Sequence, residues 1–333
     1  MTVLAAALGL AACASPQAAA GHESSPASPP AAWAEFRHLP GVVDLAGPRS
    51  DGSFLVAAAG RLFVLGRNGT LTPFARGAGG YETAIGPEPY LTIVSGVSTR
   101  GEQCVFPADS AFAIQPGTQP AVIMISPAGR ARRFASFPAG SALSGIAFDG
   151  TGRFGHRLLV TAARRDRTTV FGIGCDGRPS PITTDGPLVE GGLAVAPANF
   201  GEFGGDLIAP DENSGRVYAV TPSGKVVTLA RSGLAAGGDI GVESAGFVPA
   251  AATAAYLADR FSPGNRHPGD NAILRLSATF LARADIGAGD LLVATEGGAR
   301  TIDVRCSATC SVRYIAAGPA IAHAEGHIVF TAS

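Results

Sequence analysis

Four glutamates stand in one repeated setting. Glu82 precedes Thr-Ala-Ile, Glu190 precedes Gly-Gly-Leu, Glu243 precedes Ser-Ala-Gly-Phe and Glu325 precedes Gly-His-Ile. Each opens a short apolar run of strand character. Carboxylates gathered at one point repel each other, so they must be spaced by water, take up protons or hold a cation. A hard cation with oxygen ligands, Ca2+ most of all, resolves that conflict. A solvated acidic rim with no ion is the other outcome. His323 and His327 flank Glu325 and could add a base or a ligand. The expected metal set is Glu82, Glu190, Glu243 and Glu325, with His323 as a further ligand-binding residue. Asp239 and His327 are the candidates for proton transfer.

Whether these residues meet depends on the elements that carry them. The clearest stretch reads Glu190-Gly-Gly-Leu-Ala-Val-Ala-Pro, Asp206-Leu-Ile-Ala-Pro-Asp-Glu-Asn-Ser-Gly, Arg216-Val-Tyr-Ala-Val-Thr-Pro-Ser-Gly and Lys225-Val-Val-Thr-Leu-Ala. Four short strands separated by Gly, Asp, Asn and Pro turns are the pattern of one β-propeller blade. Similar units start near Val42, Glu82, Ser144 and Glu243. The Glu243 unit takes in Ala255–Arg260 and Ile273–Leu276. A last unit holds Asp290–Thr295, Thr301–Arg305 and Ser311–Ile315, with no evident innermost strand. Gly326–Phe330 reads as a strand that closes the ring and removes exposed sheet edges. The expectation is an all-β propeller of about six four-stranded blades, seven being possible. Innermost strands surround the axis, so equivalent glutamates fall on one ring at one mouth of the channel. No segment shows sustained helical periodicity, which excludes a doubly wound nucleotide fold.

The 333 residues are 46% hydrophobic, enough for a sizeable core, and the 45 glycines and 24 prolines suit a turn-rich chain. A net charge of −1 without a basic stripe argues against nucleic-acid binding. Val3–Ala12 has the length of a signal-peptide core, and Leu10-Ala11-Ala12-Cys13 resembles a bacterial lipobox, although no Lys or Arg precedes it. The reading is a signal segment ending at Cys13, the lipidated residue, then an Ala/Ser/Pro tether over residues 14–35. One propeller domain follows over 36–333. The protein is then an exported monomer anchored by lipid on the extracytoplasmic face. Four cysteines remain. Cys306 and Cys310 face each other across a tight hairpin and suggest one disulfide, and Cys104 and Cys175 a second; a metal site is the weaker alternative.

Two further motifs dissolve on inspection. Gly172-Ile-Gly-Cys-Asp-Gly177 matches a dinucleotide string, but Arg178-Pro-Ser-Pro181 cannot form the helix that such a site requires. Asp211–Gly215 lacks the last glutamate of a calcium loop and reads as a polar turn.

The Glu190 strand entry, followed by Asp206-Leu-Ile-Ala-Pro-Asp and Gly215-Arg-Val-Tyr, resembles the NHL and gluconolactonase/regucalcin-like propeller superfamily. The chain also resembles uncharacterised exported lipoproteins of high-GC bacteria. The resemblance implies a divalent metal at the channel mouth, with Glu190, and by position Glu82 or Glu243, as ligands. The Asn-Gly and Asp-Gly partners of that family at other strand entries are absent. Two functions are expected. One is a surface-anchored module binding a small molecule or an extracellular protein through loops such as Gly101–Asp109 and Ser262–Asp270. The other is a Ca2+-dependent lactonase- or esterase-like hydrolase acting on a sugar-derived lactone.

Overall fold

Continuous buried runs such as Phe54–Ala58, Leu207–Asp211 and Leu291–Thr295 mark strands covered on both faces, whereas Leu71–Ala75 and Ala131–Ser136 are largely half-buried or exposed. That gradient from axis to rim is the signature of stacked radial sheets. The computed structural model describes residues 32–75, 89–95, 99–100, 105–261 and 271–333. It is nearly all β, a propeller-like array of small antiparallel sheets.

After β1 (Ala34–His38), the first unit is β2 (Val42–Ala46), β3 (Phe54–Ala58), β4 (Arg61–Leu65) and β5 (Leu71–Ala75), in that order from axis to rim. The second begins at β6 (Leu91–Ile93). A small hairpin follows, β7 (Thr99–Arg100) with β8 (Val105–Phe106), before the unit resumes with β9 (Ala111–Gln115), β10 (Ala121–Ile125) and β11 (Ala131–Ser136). The third is β12 (Ala142–Phe148), β13 (Leu158–Arg164), β14 (Arg167–Ile173) and β15 (Pro179–Gly186). The fourth, predicted most sharply, is β16 (Ala194–Val195), β17 (Leu207–Asp211), β18 (Arg216–Val220) and β19 (Val226–Arg231).

The rest of the chain departs from simple succession. It forms β20 (Val242–Phe247), β21 (Ala252–Asp259), β22 (Ala272–Ser277), the short helix α1 (Ala278–Arg283), β23 (Leu291–Thr295), β24 (Thr301–Cys306), β25 (Cys310–Ala316) and β26 (Ala324–Ala332). These pair in the order β1-β22-β21-β26-β20-β23-β24-β25. One parallel bridge, Ala245 to His327, joins two runs of four. Contrary to the sequence reading, β20 does not share a unit with β21 and β22. It is the innermost strand that the last unit seemed to lack, heading β23–β25. The pair β21–β22 lies instead between β26 inside and β1 outside. The closing unit thus takes its inner strand from the C-terminal end, where the sequence reading places the strand Gly326–Phe330, and its outer strand, β1, from the N-terminal end, which that reading does not include.

Among the described residues, six buried clusters fill the seams between adjacent runs of four strands. The closing seam sets Val42, Leu45 and Phe54 against Tyr256, Ile273 and Val329. Tyr256 meets both Phe36 and Phe54 at 5.2 Å between ring centroids, a contact worth about 0.5–1.5 kcal/mol per aromatic pair. Trp33 is buried in the neighbouring seam and its indole N–H donates to Thr301 Oγ1 at 2.8 Å. Cys306 and Cys310 are joined by a disulfide across the β24–β25 hairpin. Cys175 is also disulfide-bonded; Cys104 and Cys13 lie outside the described residues. Among the described residues no helix is long and apolar enough to cross a membrane.

Close approach at the axis explains two glycines. A Cβ on Gly246 would lie 1.9 Å from the carbonyl oxygen of Ile328, and one on Gly192 would lie 2.3 Å from that of Gly326. Neither obstacle is a flexible side chain. Gly246→Ala is therefore expected to cost about 1–3 kcal/mol, read as a lower denaturation midpoint with unchanged m-value.

A candidate metal centre at one mouth of the channel

The innermost and second strands of a unit run antiparallel, so the start of one lies beside the end of the other. Glu243 is the second residue of β20, and a bulge between Val242 and Ser244 lifts it out of the ladder with β23. Such bulges re-aim a side chain. Glu325 is the second residue of β26. Glu212 follows β17 directly, and Glu296 follows β23 directly. All four therefore reach the same mouth. Each is buried, from 2% exposed for Glu243 and Glu325 to 8% for Glu212. Glu190 joins them, half-buried, and its charge bears on both Glu212 and Glu243.

The backbone holds this cluster closely. Gly191 has a φ of +72°, and a Cβ there would sit 2.5 Å from the Glu243 side chain. A Cβ on Gly241 would lie 2.0 Å from the carbonyl oxygen of Glu212. The Glu296 amide donates to the Gly241 carbonyl at 2.7 Å, and the Ala324 amide to the Glu296 carbonyl at 2.8 Å. The Tyr90 hydroxyl lies 2.7 Å from Glu243 Oε1 and 3.2 Å from Glu325 Oε1. Arg260, the residue after β21, pairs with Glu325 at 3.2 Å. His323 is buried, its amide donates to Asp259 Oδ1 at 2.9 Å, and its Nε2 contacts Glu296.

Two sets of ligand atoms converge. Those of Glu212, Glu243 and Glu296 lie within 4.8 Å of one another, and so do those of Glu296, His323 and Glu325. Buried carboxylates at that separation are a donor set for a metal ion, and their oxygens fit a hard dication. Without one they must retain protons. Burial, then the charges of Glu325, Glu296 and Glu190, push Glu243 well above its ordinary 4.5. Burial, then Glu190 and Glu296, push Glu212 up to about 8. Raised folded-state values mean that the native protein keeps protons which the unfolded chain has released. Metal-free protein should therefore lose stability as pH rises from about 4.5 to about 8. Urea midpoints in chelator across that range check this, and Glu212→Gln should flatten the slope.

Of the residues read from sequence, Glu190, Glu243, His323 and Glu325 meet at this mouth. Glu82 and the loop 262–270 lie outside the described residues, as do residues 101–104 of the other candidate loop. Asp239 is an exposed turn residue; its amide donates to Glu212 Oε2 at 3.2 Å, so it approaches the cluster by backbone. Asp211 caps the turn before Asn213 and Ser214, the polar turn expected there. Sequence reasoning missed Glu212, Glu296 and Tyr90. The signal was present: Glu212 and Glu296 each stand immediately after a second strand, in Pro210-Asp211-Glu212 and Ala294-Thr295-Glu296.

His327 lies deeper, and a role as base meets an obstacle. Its Nδ1 is 3.0 Å from both oxygens of Asp44, and its Nε2 is 2.9 Å from the carbonyl oxygen of Ile146. A carbonyl only accepts, and a buried carboxylate accepts, so both ring nitrogens serve as donors. A base role would require one of those bonds to break. Asp44, wholly buried, also accepts the amides of Leu45, Leu91 and His327 at 2.7–2.8 Å. This knot ties β2, the β6 entry, β12 and β26 across the axis. Beyond it a cavity of about 280 Å3 opens at the opposite mouth, lined by Leu91, Phe148, Leu193, Phe247 and Phe330.

Fold and cluster together define a propeller with a buried carboxylate–histidine centre at one channel mouth. No family model and no curated protein matches the chain. Solved structures of similar outline include virginiamycin B lyase from Staphylococcus aureus, at 11% identity and a TM-score of 0.43, covering 84% of this chain and 87% of that one. A protein of unknown function from Bacteroides caccae shows 14% identity and a TM-score of 0.48, with 88% and 87% covered. A protein described as a putative gluconolactonase shows 13% identity and a TM-score of 0.35, with 75% and 93% covered. Likeness at this level carries neither substrate nor chemistry to this chain.

Proposed function

We propose that this chain is an exported, lipid-tethered binding propeller whose site is a Ca2+ ion held by Glu212, Glu243 and Glu296. The observation that carries it is the approach of those three buried carboxylates within 4.8 Å. A dication offsets their repulsion and leaves coordination positions for oxygen atoms of a ligand. A recess of about 110 Å3, lined by Ser144, Val189, Glu190, Glu212 and Asn213, adjoins the cluster and admits one small polar group. Asn213 Nδ2 donates to Glu212 Oε1 at 3.2 Å and steadies that wall. A small oxygen-rich molecule suits this mouth. Calorimetric titration of the chelator-stripped protein with Ca2+ tests the reading: binding to the wild type, and loss of heat in Glu243→Gln, are expected. No binding at pH 8 would overturn it.

A second reading is a lactonase- or esterase-like hydrolase. It is favoured by Glu190, half-buried on the recess wall, where a carboxylate can hold a water molecule and accept its proton. The ion would supply polarisation of a carbonyl. Turnover of sugar-derived lactones that vanishes in Glu190→Gln would establish it; binding without turnover leaves the first reading standing.

A further inference from the structure

We propose that the same mouth carries a second metal position, formed by Glu296, His323 and Glu325, that takes a first-row transition metal such as Zn2+ or Mn2+. The proposal rests on the calcium reading above through the shared Glu296, whose two carboxylate oxygens can serve one position each. The ligand atoms of this second set lie within 4.8 Å of one another, and all three side chains are buried.

The imidazole sets this position apart from an acidic pocket. Calcium sites are built from oxygen, whereas an imidazole nitrogen beside carboxylates is the donor set of zinc, manganese and iron. His323 is 2% exposed and fixed from several sides. Its amide is held by Asp259, its carbonyl accepts from the Arg260 amide at 2.8 Å, and its backbone bridges to Gly297. The backbone that carries the ring is thus set before any ion arrives, with Nε2 already against Glu296, which lowers the cost of binding.

Charge gives an independent reason. Among the described residues, Glu190, Glu212, Glu243, Glu296 and Glu325 gather here, Asp259 holds the His323 amide, and Arg260 pairs with Glu325. One dication and Arg260 supply three positive charges against the six carboxylates. Two dications and Arg260 supply five, so a second ion brings the cluster within one charge of neutrality, a neutral imidazole being the form that ligates. The competing arrangement is a direct contact of His323 Nε2 with Glu296 and no second metal.

Cobalt(II) is the probe. Full-length protein saturated with Ca2+ is titrated with Co2+ while visible absorbance and bound cobalt are followed. One Co2+ per chain, with a d–d band and no loss of bound calcium, is expected. His323→Gln should lose the band while still melting cooperatively. Should that variant fail to fold, the ring 15N shifts of wild-type protein on Zn2+ addition serve instead, one histidine moving as it binds metal. No cobalt uptake by calcium-loaded protein, or uptake that expels an equal amount of calcium, would overturn the second position and leave the first intact. Failure of both ions to bind would remove both.

Discussion

Asp44→Ala is expected to lower the stability of the fold by about 3–5 kcal/mol, the usual cost of removing one partner from a buried ion pair. The alanine leaves three backbone amides and the imidazole Nδ1–H of His327 facing an apolar wall. Those donors come from strands far apart in sequence, so the loss loosens the axis where innermost strands meet. Urea denaturation with an unchanged m-value measures it. A change under 1 kcal/mol would show that the knot contributes little. The same pair gives a pH signature. Burial works to lower the pKa of His327, but the Asp44 charge, its hydrogen bond, and the Ile146 and Leu193 carbonyls together raise it above 6.5. The native state therefore holds this proton longer than the unfolded chain. The stability it contributes is complete below about pH 6.5 and fades as pH rises through the folded value. Asp44→Asn should remove only the His327 share of the decline above pH 6.5 and leave the glutamate-driven decline, which continues to about pH 8.

If the proposed site holds calcium, the ion is expected to raise the melting temperature of chelator-stripped protein by several degrees. At a concentration 100-fold above the dissociation constant the linkage is worth about 2.7 kcal/mol. Differential scanning fluorimetry with and without chelator reads it directly. Glu243→Gln makes the test sharper, because its two effects have opposite signs. It removes a buried carboxylate whose neighbours Glu325, Glu296 and Glu190 repel it, so metal-free protein becomes more stable at pH 8. It also removes a ligand, so the calcium response shrinks. A variant destabilised without metal and still fully responsive to calcium would contradict both the electrostatic account and the ligand set.

What the sequence determined alone was the repeating unit and part of its consequence. Strand alternation and Gly-rich turns specify four short strands per unit. Because equivalent strand entries surround one axis, Glu190, Glu243 and Glu325 could be placed at a common mouth from spacing alone. Glu212 and Glu296 carried a weaker signal, being tied to the end of the second strand, whose turns vary in length from unit to unit. Three matters needed the tertiary structure. The first is partner choice: period-two patterning states which face a strand buries, not which sheet it joins, so the exchange of β20 and the β21–β22 pair between adjacent runs was invisible. The second is depth along the axis, which separates Glu325 in the carboxylate cluster from His327 in the knot with Asp44, two residues later on the same strand. The third is charge state, because whether buried carboxylates repel, share protons or hold metals depends on distances between groups over a hundred residues apart, such as Tyr90 and Glu243.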